Sequence, residues 1–519
     1  MEYKYGGSEI NQRTVLGHPS GLFVLFFTEM WERFSYYGMR ALLVLFLTSA
    51  LFGDNPGWGW EREDALKLYG IYTGLVYLTP IIGGLIADKL LGYRKAVVLG
   101  ALIMTLGHAS MAFETSFFFY AGLAFLIVGN GLFKPNISSI VGQLYKTQGK
   151  EKDAGYTIFY MGINAGAFLG ILLCGYIGEK IGWSYGFGLA GIFMFFGMLQ
   201  FHYAQKIFGK IGLKPDKNDN FIDIAEKDEK DKALPAKVKI DRIIVISVFS
   251  LFTIFFWWAF EQAGGSMTVF AKDYTDRVLE GNGAFIFKII NTLLTVVPML
   301  IITWVLAMLF KQTYSNYSLS NIFLGTSFAI IWVVVIWMLN REFAAETTEV
   351  QASWFGILNS FYIITFAPLF SKIWQSKLNP SGPVKFAIGL VLLGIGFAAL
   401  AYGSAEIPQG AKTASVSMLW LILAYLFHTL GELCISPVGL SYVSKLSPPK
   451  LVGLMFGIWF LANFIANLTA GWTGSYIDAI TEAYSISTFF LIFTLIPIAA
   501  GVVMFLLNKI LIKKMHGIR

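Results

Sequence analysis

The stretch FTEMWERFSYYGMRALL, residues 27–43, places four charged side chains inside an apolar run that extends from about residue 22 to residue 51. A run of this length crosses a bilayer as a helix, because about 20 residues are sufficient. At 100° per residue, one narrow stripe of this helix contains Glu29, Arg33, Tyr36 and Arg40, with Glu32 and Tyr37 at its edges. A charge at the centre of a membrane helix costs about 2.5–3.5 kcal/mol on insertion scales. The stripe is therefore predicted to line a cavity or the interior of a helix bundle.

The rest of the chain has the composition of an integral membrane protein. Of its 519 residues, 56% are hydrophobic and 14% are charged, with a mean hydropathy of +0.63, whereas soluble proteins carry about 25% charged residues. Fourteen stretches are long enough to cross a bilayer. They lie at about 22–51, 66–91, 94–113, 117–142, 154–179, 184–206, 241–271, 284–310, 319–340, 351–376, 383–403, 415–444, 451–477 and 484–510. The predicted fold class is an all-α integral membrane protein.

One long hydrophilic segment, residues 207–240, separates six predicted spans from eight and contains the run AEKDEKDK. This division predicts two six-helix bundles plus one extra helix pair, the layout of transporters built from two halves. The predicted domains are an N-terminal bundle (1–206), a linker (207–240) and a C-terminal bundle (241–519). The extra pair, at about 284–340, has few ionisable residues, so we expect it at the periphery.

The loop charges predict the orientation in the membrane. Lys and Arg cluster after spans 2, 4, 6, 10 and 12 and in the C-terminal tail, whereas the opposite loops are acidic or poor in charge. The positive-inside rule then places both termini and the linker in the cytoplasm. The net charge of +7 is thereby explained without nucleic-acid binding. The polar N-terminus lacks the apolar core of a removable signal peptide.

Three further spans each carry one ionisable residue: Lys134 in span 4, Glu261 in span 7 and Glu432 in span 12. Asn164 and Asn359 add polar amides in spans 5 and 10. Because charges of both signs come from both halves, they indicate a shared polar site between the bundles. The alternative is that these groups hold helices together as buried ion pairs or interhelical hydrogen bonds.

Several classes of site are not supported by the sequence. Cys174 and Cys434 lie in apolar spans, and the five histidines have no pair at metal-ligand spacing. We therefore expect no metal, no haem or other cofactor, and no enzyme activity, since no nucleophile and base are arranged together. His108 and His428 are interpreted as satisfied polar residues of the core.

Four motifs resemble signatures of the proton-dependent oligopeptide transporters, a branch of the major facilitator superfamily. They are ExxERFxYYG at residues 29–38, GLFKPN around Lys134, FYxxINxG around Asn164 and GELCISPVGL around Glu432. The loop after span 2, GGLIADKLLGYRK, resembles the signature loop of the wider superfamily. The motifs occur in the order that the family has.

This resemblance implies a major facilitator fold with a twelve-helix core that alternates between outward-open and inward-open states. It implies a symporter that imports di- and tripeptides with protons as the coupling ion, as a monomer in a bacterial cytoplasmic membrane. The alternative is a family relative that carries another solute, such as nitrate or an organic anion. Bacterial members often have two extra helices between the halves, whereas here the extra pair follows the helix of Glu261.

The resemblance also implies residues that bind the peptide. Arg33 and Lys134 would hold its carboxylate, and Glu432 its amino group. Asn164 and Asn359 would bond its backbone or its termini. The pockets for its side chains would be lined by Tyr36, Tyr37, Tyr77 and Trp459.

Proton coupling and gating are implied for a second, overlapping set. The coupling cluster would consist of Glu29, Glu32, Arg33 and Lys134. Glu261 would pair with Arg40 in an extracellular gate and would be able to carry a proton.

Overall fold

The computed structural model describes residues 3–146, 149–214 and 235–518. The α-helices of these residues are, in order, α1 (Ser20–Thr48), α2 (Arg62–Ile86), α3 (Tyr93–Met111), α4 (Ser116–Gln143), α5 (Lys150–Lys180), α6 (Trp183–Ala204), α7 (Ala236–Phe260), α8 (Ser266–Asp273), α9 (Gly281–Thr313), α10 (Ser318–Ala344), α11 (Ile357–Gln375), α12 (Gly382–Gly403), α13 (Leu419–Leu446), α14 (Val452–Ser475), α15 (Ile477–Ala483) and α16 (Ile486–Lys514). All except α8 and α15 have 19 residues or more.

The fourteen long helices correspond one to one with the fourteen predicted spans. In the described part of the chain, twelve segments are long and apolar enough to cross a membrane. The two long helices outside that set are α1, which carries the four charges quoted above, and α3. The predicted all-α membrane fold of the major facilitator type is confirmed.

The predicted span at 241–271 is interrupted. Helix α7 ends at Phe260, a 3-10 turn covers Glu261–Gly264, and Gly265 leaves the helical region before α8 begins. A side chain at Gly264 would not fit, because its Cβ would lie 2.0 Å from the Tyr69 hydroxyl of α2. The two glycines thus end the helix and let α2 approach the turn that carries Glu261.

The helices form two halves around a shared interface. We call α1–α6 the N-terminal half, and α7, α8 and α11–α16 the C-terminal half. Helix α2 packs against α14, and α5 packs against α11. The first contact is so close that a Cβ on Gly70 would lie 2.6 Å from the Cα of Gly471. Of the predicted linker, residues 215–234 lie outside the described residues, and α7 already begins at Ala236.

Six short strands join loops and termini: β1 (Thr14–Val15), β2 (His18–Pro19), β3 (Thr275–Asp276), β4 (Val278–Leu279), β5 (Thr348–Glu349) and β6 (Val416–Ser417). β1 pairs with β2 and β4 with β5, both antiparallel, whereas β3 and β6 are parallel. The β4–β5 pair joins the two ends of the α9–α10 hairpin, with Val278 opposite Glu349.

The α9–α10 hairpin lies beside the N-terminal half, although its chain position is within the C-terminal half. Phe328 of α10 packs edge-on against Phe27 and Trp31 of α1, with ring centroids 5.6 and 5.5 Å away. The Ser320 hydroxyl donates a hydrogen bond to the Gln200 carbonyl of α6, at 2.8 Å. The extra pair also contacts its own half, since the Phe287 ring of α9 stacks on the Trp354 ring with centroids 6.0 Å apart.

We call the end of the helix bundle at which both chain termini lie the terminal side. On the terminal side, Gly6 donates to the Leu144 carbonyl, and Lys514 near the C-terminus pairs with Asp241 at the start of α7. The opposite end, where α1, α5 and α14 finish, is called the distal side.

Candidate functional site

A cavity of about 320 Å³ lies between the two halves. Of the predicted site residues, its lining includes Tyr37, Arg40, Tyr77, Lys134, Asn164, Asn359 and Glu432. The N-terminal half supplies the first five, and the C-terminal half supplies Asn359 and Glu432. The polar residues that sequence reasoning singled out in separate helices thus meet at one place.

Three predicted peptide-binding residues lie outside this lining. Arg33 and Tyr36 are buried in the N-terminal half, with exposed fractions of 3% and 4%. Trp459 of α14 packs against α13 so closely that a Cβ on Gly439 would lie 2.2 Å from its ring. Their contact with a peptide stays a prediction, and in this conformation it requires a movement of side chains or helices.

The charges near the middle of α1 form a buried cluster within the N-terminal half. Arg33 Nε donates to Glu29 Oε1 at 2.7 Å and lies 2.8 Å from Glu32 Oε2. Asn130 of α4 donates to Glu32 Oε1, also at 2.8 Å. With both carboxylates ionised, the cluster has one negative charge in excess. Lys134 lies one turn beyond Asn130 and therefore shares that face of α4.

Two charges that line the cavity have no ionic partner. The Lys134 ammonium lies over the Tyr77 ring, 4.5 Å from its centroid, and no carboxylate of the described residues lies within 4.0 Å of it. Glu432 Oε2 accepts a hydrogen bond from Asn359 Nδ2 at 2.8 Å, and no cation in the described ranges lies within 4.0 Å of that carboxylate. The cavity therefore offers one cation from the N-terminal half and one anion from the C-terminal half.

Asn359 holds the Glu432 carboxylate in place. Its amide nitrogen donates to Glu432 Oε2 and also to the Thr429 hydroxyl, at 3.1 Å. Both of its N–H bonds are thereby used, and the second carboxylate oxygen of Glu432 receives no hydrogen bond from the described residues. That oxygen is available to a ligand.

An ion pair closes the cavity toward the distal side. Arg40 Nη2 of α1 contacts Glu261 Oε2, and Arg40 Nε donates to the Tyr69 hydroxyl at 2.7 Å. Glu261 reaches Arg40 because the 3-10 turn after α7 places it against α2. This pair joins the two halves, and its role as a gate stays a prediction.

Further ion pairs join the halves on the distal side. Arg62 of α2 contacts Asp273 at 2.8 Å and Asp478 at 2.7 Å. On the same side, Lys180 of α5 contacts Glu349 of β5, at the base of the α9–α10 hairpin, at 2.5 Å. Within the described ranges, every ion pair between the halves lies on this side. On the terminal side, by contrast, the lining residues Tyr160 and Leu440 are 41% and 46% exposed. The cavity is thus closed distally and accessible from the terminal side.

The charge environment of Glu349 decides its protonation. Partial burial acts to raise its pKa, but the hydrogen bond from Lys180 and the charge of Arg277 outweigh burial and hold that pKa below its usual value. Glu349 is therefore ionised at neutral pH, and its pair with Lys180 is intact there.

Sequence reasoning missed several residues of the lining, among them Tyr160, Tyr425 and His428. Tyr160 had a signal, because it lies one turn before Asn164 in the same motif. His428 differs from expectation: neither ring nitrogen has a hydrogen-bond partner among the described residues, and the same holds for His108. The His428 ring packs against the Phe397 ring, with centroids 4.4 Å apart.

The family is decided by comparison with known proteins. The family model of the POT family matches residues 94–225 and 328–490, more than half of the chain. The chain belongs to the POT family. The resemblance drawn from the motifs is confirmed, and the protein is a multi-pass membrane transporter, not an enzyme. The match leaves out residues 1–93, which include the charges of α1, and residues 226–327, which include Glu261 and all of α9.

Relatives and solved structures of this POT family member cover nearly all of it. It is 33% identical to the "Uncharacterized transporter YclF" of Bacillus subtilis, over 98% of this chain and 97% of that one. It is 32% identical to the "Di-/tripeptide transporter" of Lactococcus lactis subsp. cremoris, over 98% and 99%. A crystal structure of a peptide transporter POT in complex with sulfate is 28% identical, with a TM-score of 0.75 and 97% of each chain covered.

Proposed function

We propose that this POT family member is a proton-coupled symporter that imports di- and tripeptides by alternating access. The observation that carries the proposal is the pair of unpartnered charges, Lys134 and Glu432, on opposite walls of one cavity. The name of the Lactococcus relative, a di-/tripeptide transporter, supports the same substrate class. We further propose that the protein acts as a monomer in a bacterial cytoplasmic membrane, surrounded by lipid and without a cofactor.

A short peptide is a zwitterion with its two charges at a nearly fixed separation. Its carboxylate suits Lys134 and its ammonium suits the free oxygen of Glu432, so binding neutralises both buried charges of the cavity. Asn164, whose amide nitrogen donates to the Tyr160 carbonyl at 3.0 Å, keeps its side-chain oxygen for a peptide N–H. This arrangement recognises both ends of the peptide and leaves its side chains unspecified.

Proton coupling requires a carboxylate whose protonation differs between the two states of the cycle. Glu29 and Glu32 share the Arg33 guanidinium. A proton on either glutamate weakens that bond and frees Arg33 for the peptide carboxylate, which its planar fork bonds at two points. One proton entering down 100 mV supplies about 2.3 kcal/mol, and each pH unit adds about 1.4 kcal/mol. Together they support accumulation of up to several hundred-fold.

The orientation of the protein in the membrane follows from the charges of its loops. The basic loops lie on the terminal side, so we infer that this side and both termini face the cytoplasm. The conformation, closed distally and accessible from the terminal side, then corresponds to the inward-open state. Import requires a second state in which the distal ion pairs are broken and the terminal side is closed.

The test is a competition uptake assay in proteoliposomes with an inward proton gradient. Free amino acids, dipeptides, tripeptides and nitrate compete with a radiolabelled dipeptide. Inhibition by dipeptides and tripeptides, with abolished accumulation when a protonophore is added, supports the proposal. Accumulation of nitrate or of a simple organic anion, without peptide uptake, establishes the alternative substrate class instead.

A further inference from the structure

The last turns of α5 hold the first residues of the segment that leads into α11. Glu179 Oε1 accepts hydrogen bonds from the backbone N–H of Ser353 at 3.0 Å and from its hydroxyl at 2.5 Å. Glu179 Oε2 accepts from the backbone N–H of Ala352, also at 3.0 Å. These N–H groups belong to the first two residues of the 3-10 turn Ala352–Gly356. The first N–H groups of a helical segment have no partner within that segment. A carboxylate of the N-terminal half therefore caps a helical segment of the C-terminal half.

Two neighbouring contacts strengthen the same junction. The Trp354 indole Nε1 donates to the Leu172 carbonyl of α5 at 3.0 Å. Gly175 leaves the space that Ser353 occupies, since a Cβ there would lie 2.2 Å from the Ser353 hydroxyl oxygen. We call Glu179 together with Ala352, Ser353 and Trp354 the α5–α11 latch. Its residues Ala352 and Ser353 also line the cavity.

We propose that Glu179 is a positioning residue of the transport cycle that holds the distal side closed through the α5–α11 latch. The proposal rests on the alternating access proposed above. Opening the distal side separates α5 from α11, which exposes a carboxylate and two backbone N–H groups that satisfy one another in the closed state. The latch is separate from the Arg40–Glu261 pair, which joins α1 to the turn after α7.

The nearby Lys180–Glu349 pair differs from the latch in kind. Its side chains are 30% and 40% exposed, and exposed ion pairs contribute little because water and salt screen them. Glu179 instead makes three hydrogen bonds as a charged acceptor, which are about twice as strong as neutral ones. The two adjacent residues of α5 thus provide a matched comparison between a latch residue and a surface ion pair.

The test measures the distance across the distal side by double electron–electron resonance in nanodiscs. Spin labels are attached to Phe113→Cys and Tyr484→Cys, at exposed positions of the two halves, with both native cysteines replaced by alanine. Glu179→Gln is expected to raise the ratio of distally open to closed molecules about tenfold or more. Ser353→Ala removes one of the three donors and shifts the ratio in the same direction by less. Lys180→Gln is the control and shifts it by a few-fold at most.

A double-mutant cycle separates the latch from general loosening. Because both changes break one contact, Glu179→Gln combined with Ser353→Ala is expected to have less effect than the sum of the two. Additive effects, or a Glu179→Gln distance distribution equal to that of Lys180→Gln, would overturn the proposal. Size-exclusion profiles and thermal melts of each variant establish that it is folded. The distances need neither peptide nor proton gradient, so a failure of the peptide uptake assay leaves this result interpretable by itself.

Discussion

Replacing Glu432 by glutamine tests whether the cavity recognises a peptide ammonium. Asn359 Nδ2 donates to Glu432 Oε2, so the carbonyl oxygen of a glutamine would turn toward Asn359. Its NH₂ group then faces the cavity, where the peptide ammonium is also a donor. The substitution therefore removes the whole charge-assisted hydrogen bond instead of weakening it.

The expected magnitude follows from the type of bond that is lost. A hydrogen bond to a charged group contributes about 1.5–3 kcal/mol, which corresponds to an increase in Kd of about 10- to 150-fold. We expect this increase for a zwitterionic dipeptide. An N-acetylated dipeptide has no ammonium, and its weaker binding is expected to be the same in both proteins.

The assay is displacement of a radiolabelled dipeptide from purified transporter by unlabelled free and acetylated dipeptides. The protein variant and the peptide modification form a double-mutant cycle, which isolates the contact between Glu432 and the ammonium. Glu63→Gln, which changes an exposed carboxylate that pairs with Lys67 of the same helix outside the cavity, is the control and is expected to bind both peptides as the parent protein does. An equal loss of affinity for the free and the acetylated dipeptide would refute the reasoning, since Glu432 would then act through the fold.

Three further outcomes follow from the contacts described. Glu29→Gln and Glu32→Gln are expected to reduce proton-driven accumulation while peptide counterflow persists, and unchanged accumulation in both variants would remove the coupling hypothesis. Gly264→Ala is expected to lower the free energy of unfolding by about 1–3 kcal/mol, because its Cβ would lie 2.0 Å from the Tyr69 hydroxyl, which accepts a hydrogen bond from Arg40. Gly457→Ala, with nothing within 4 Å of the new Cβ, is the matched control and should cost nothing in the same thermal melts. The pKa of Glu349 is lowered in the folded protein, so its contribution is present above the unfolded pKa, about 4.3, and is lost as the pH falls through the folded pKa. The melting temperatures of parent and Glu349→Gln protein should therefore differ at neutral pH, and this difference should shrink as the pH falls below the unfolded pKa. A difference that stays constant from neutral to acidic pH would contradict the assignment.

The fold was predictable because a membrane reduces the choices open to the chain. In lipid, every backbone polar group must be bonded internally, so each long apolar run becomes a helix. All fourteen predicted spans are helices for this reason. The break after α7 was missed, although Gly264 and Gly265 stand next to each other there. Hydropathy continues across that break, and its cause is a contact with Tyr69 of another helix.

The position of the α9–α10 hairpin was not predictable from chain order. Its helices follow α7 and α8 in sequence, yet Phe328 packs on α1 and Ser320 bonds to α6. Helices with few polar groups expose similar apolar surfaces to any neighbour, so composition does not select the half on which they pack. The half on which the hairpin packs depends on side-chain contacts such as that of Phe328 with Trp31, and these contacts are visible only in the structure.

The same physics explains why the cavity was visible in the sequence and the α5–α11 latch was not. A charge in the middle of a span is costly, so Lys134 and Glu432 stand out and indicate a polar site. Glu179 lies in the last turn of α5, where polar residues are common and cheap to solvate. There it looks like an ordinary residue of the membrane boundary. Its role depends on the two backbone N–H groups of the other half from which it accepts hydrogen bonds. Backbone donors are the same for every residue type except proline, so the sequence does not show which of them a carboxylate will bind. Charged residues that bind a solute within the membrane can therefore be recognised in the sequence, because placing a charge there is costly. Residues that hold the two halves of a transporter together are recognised only from the structure.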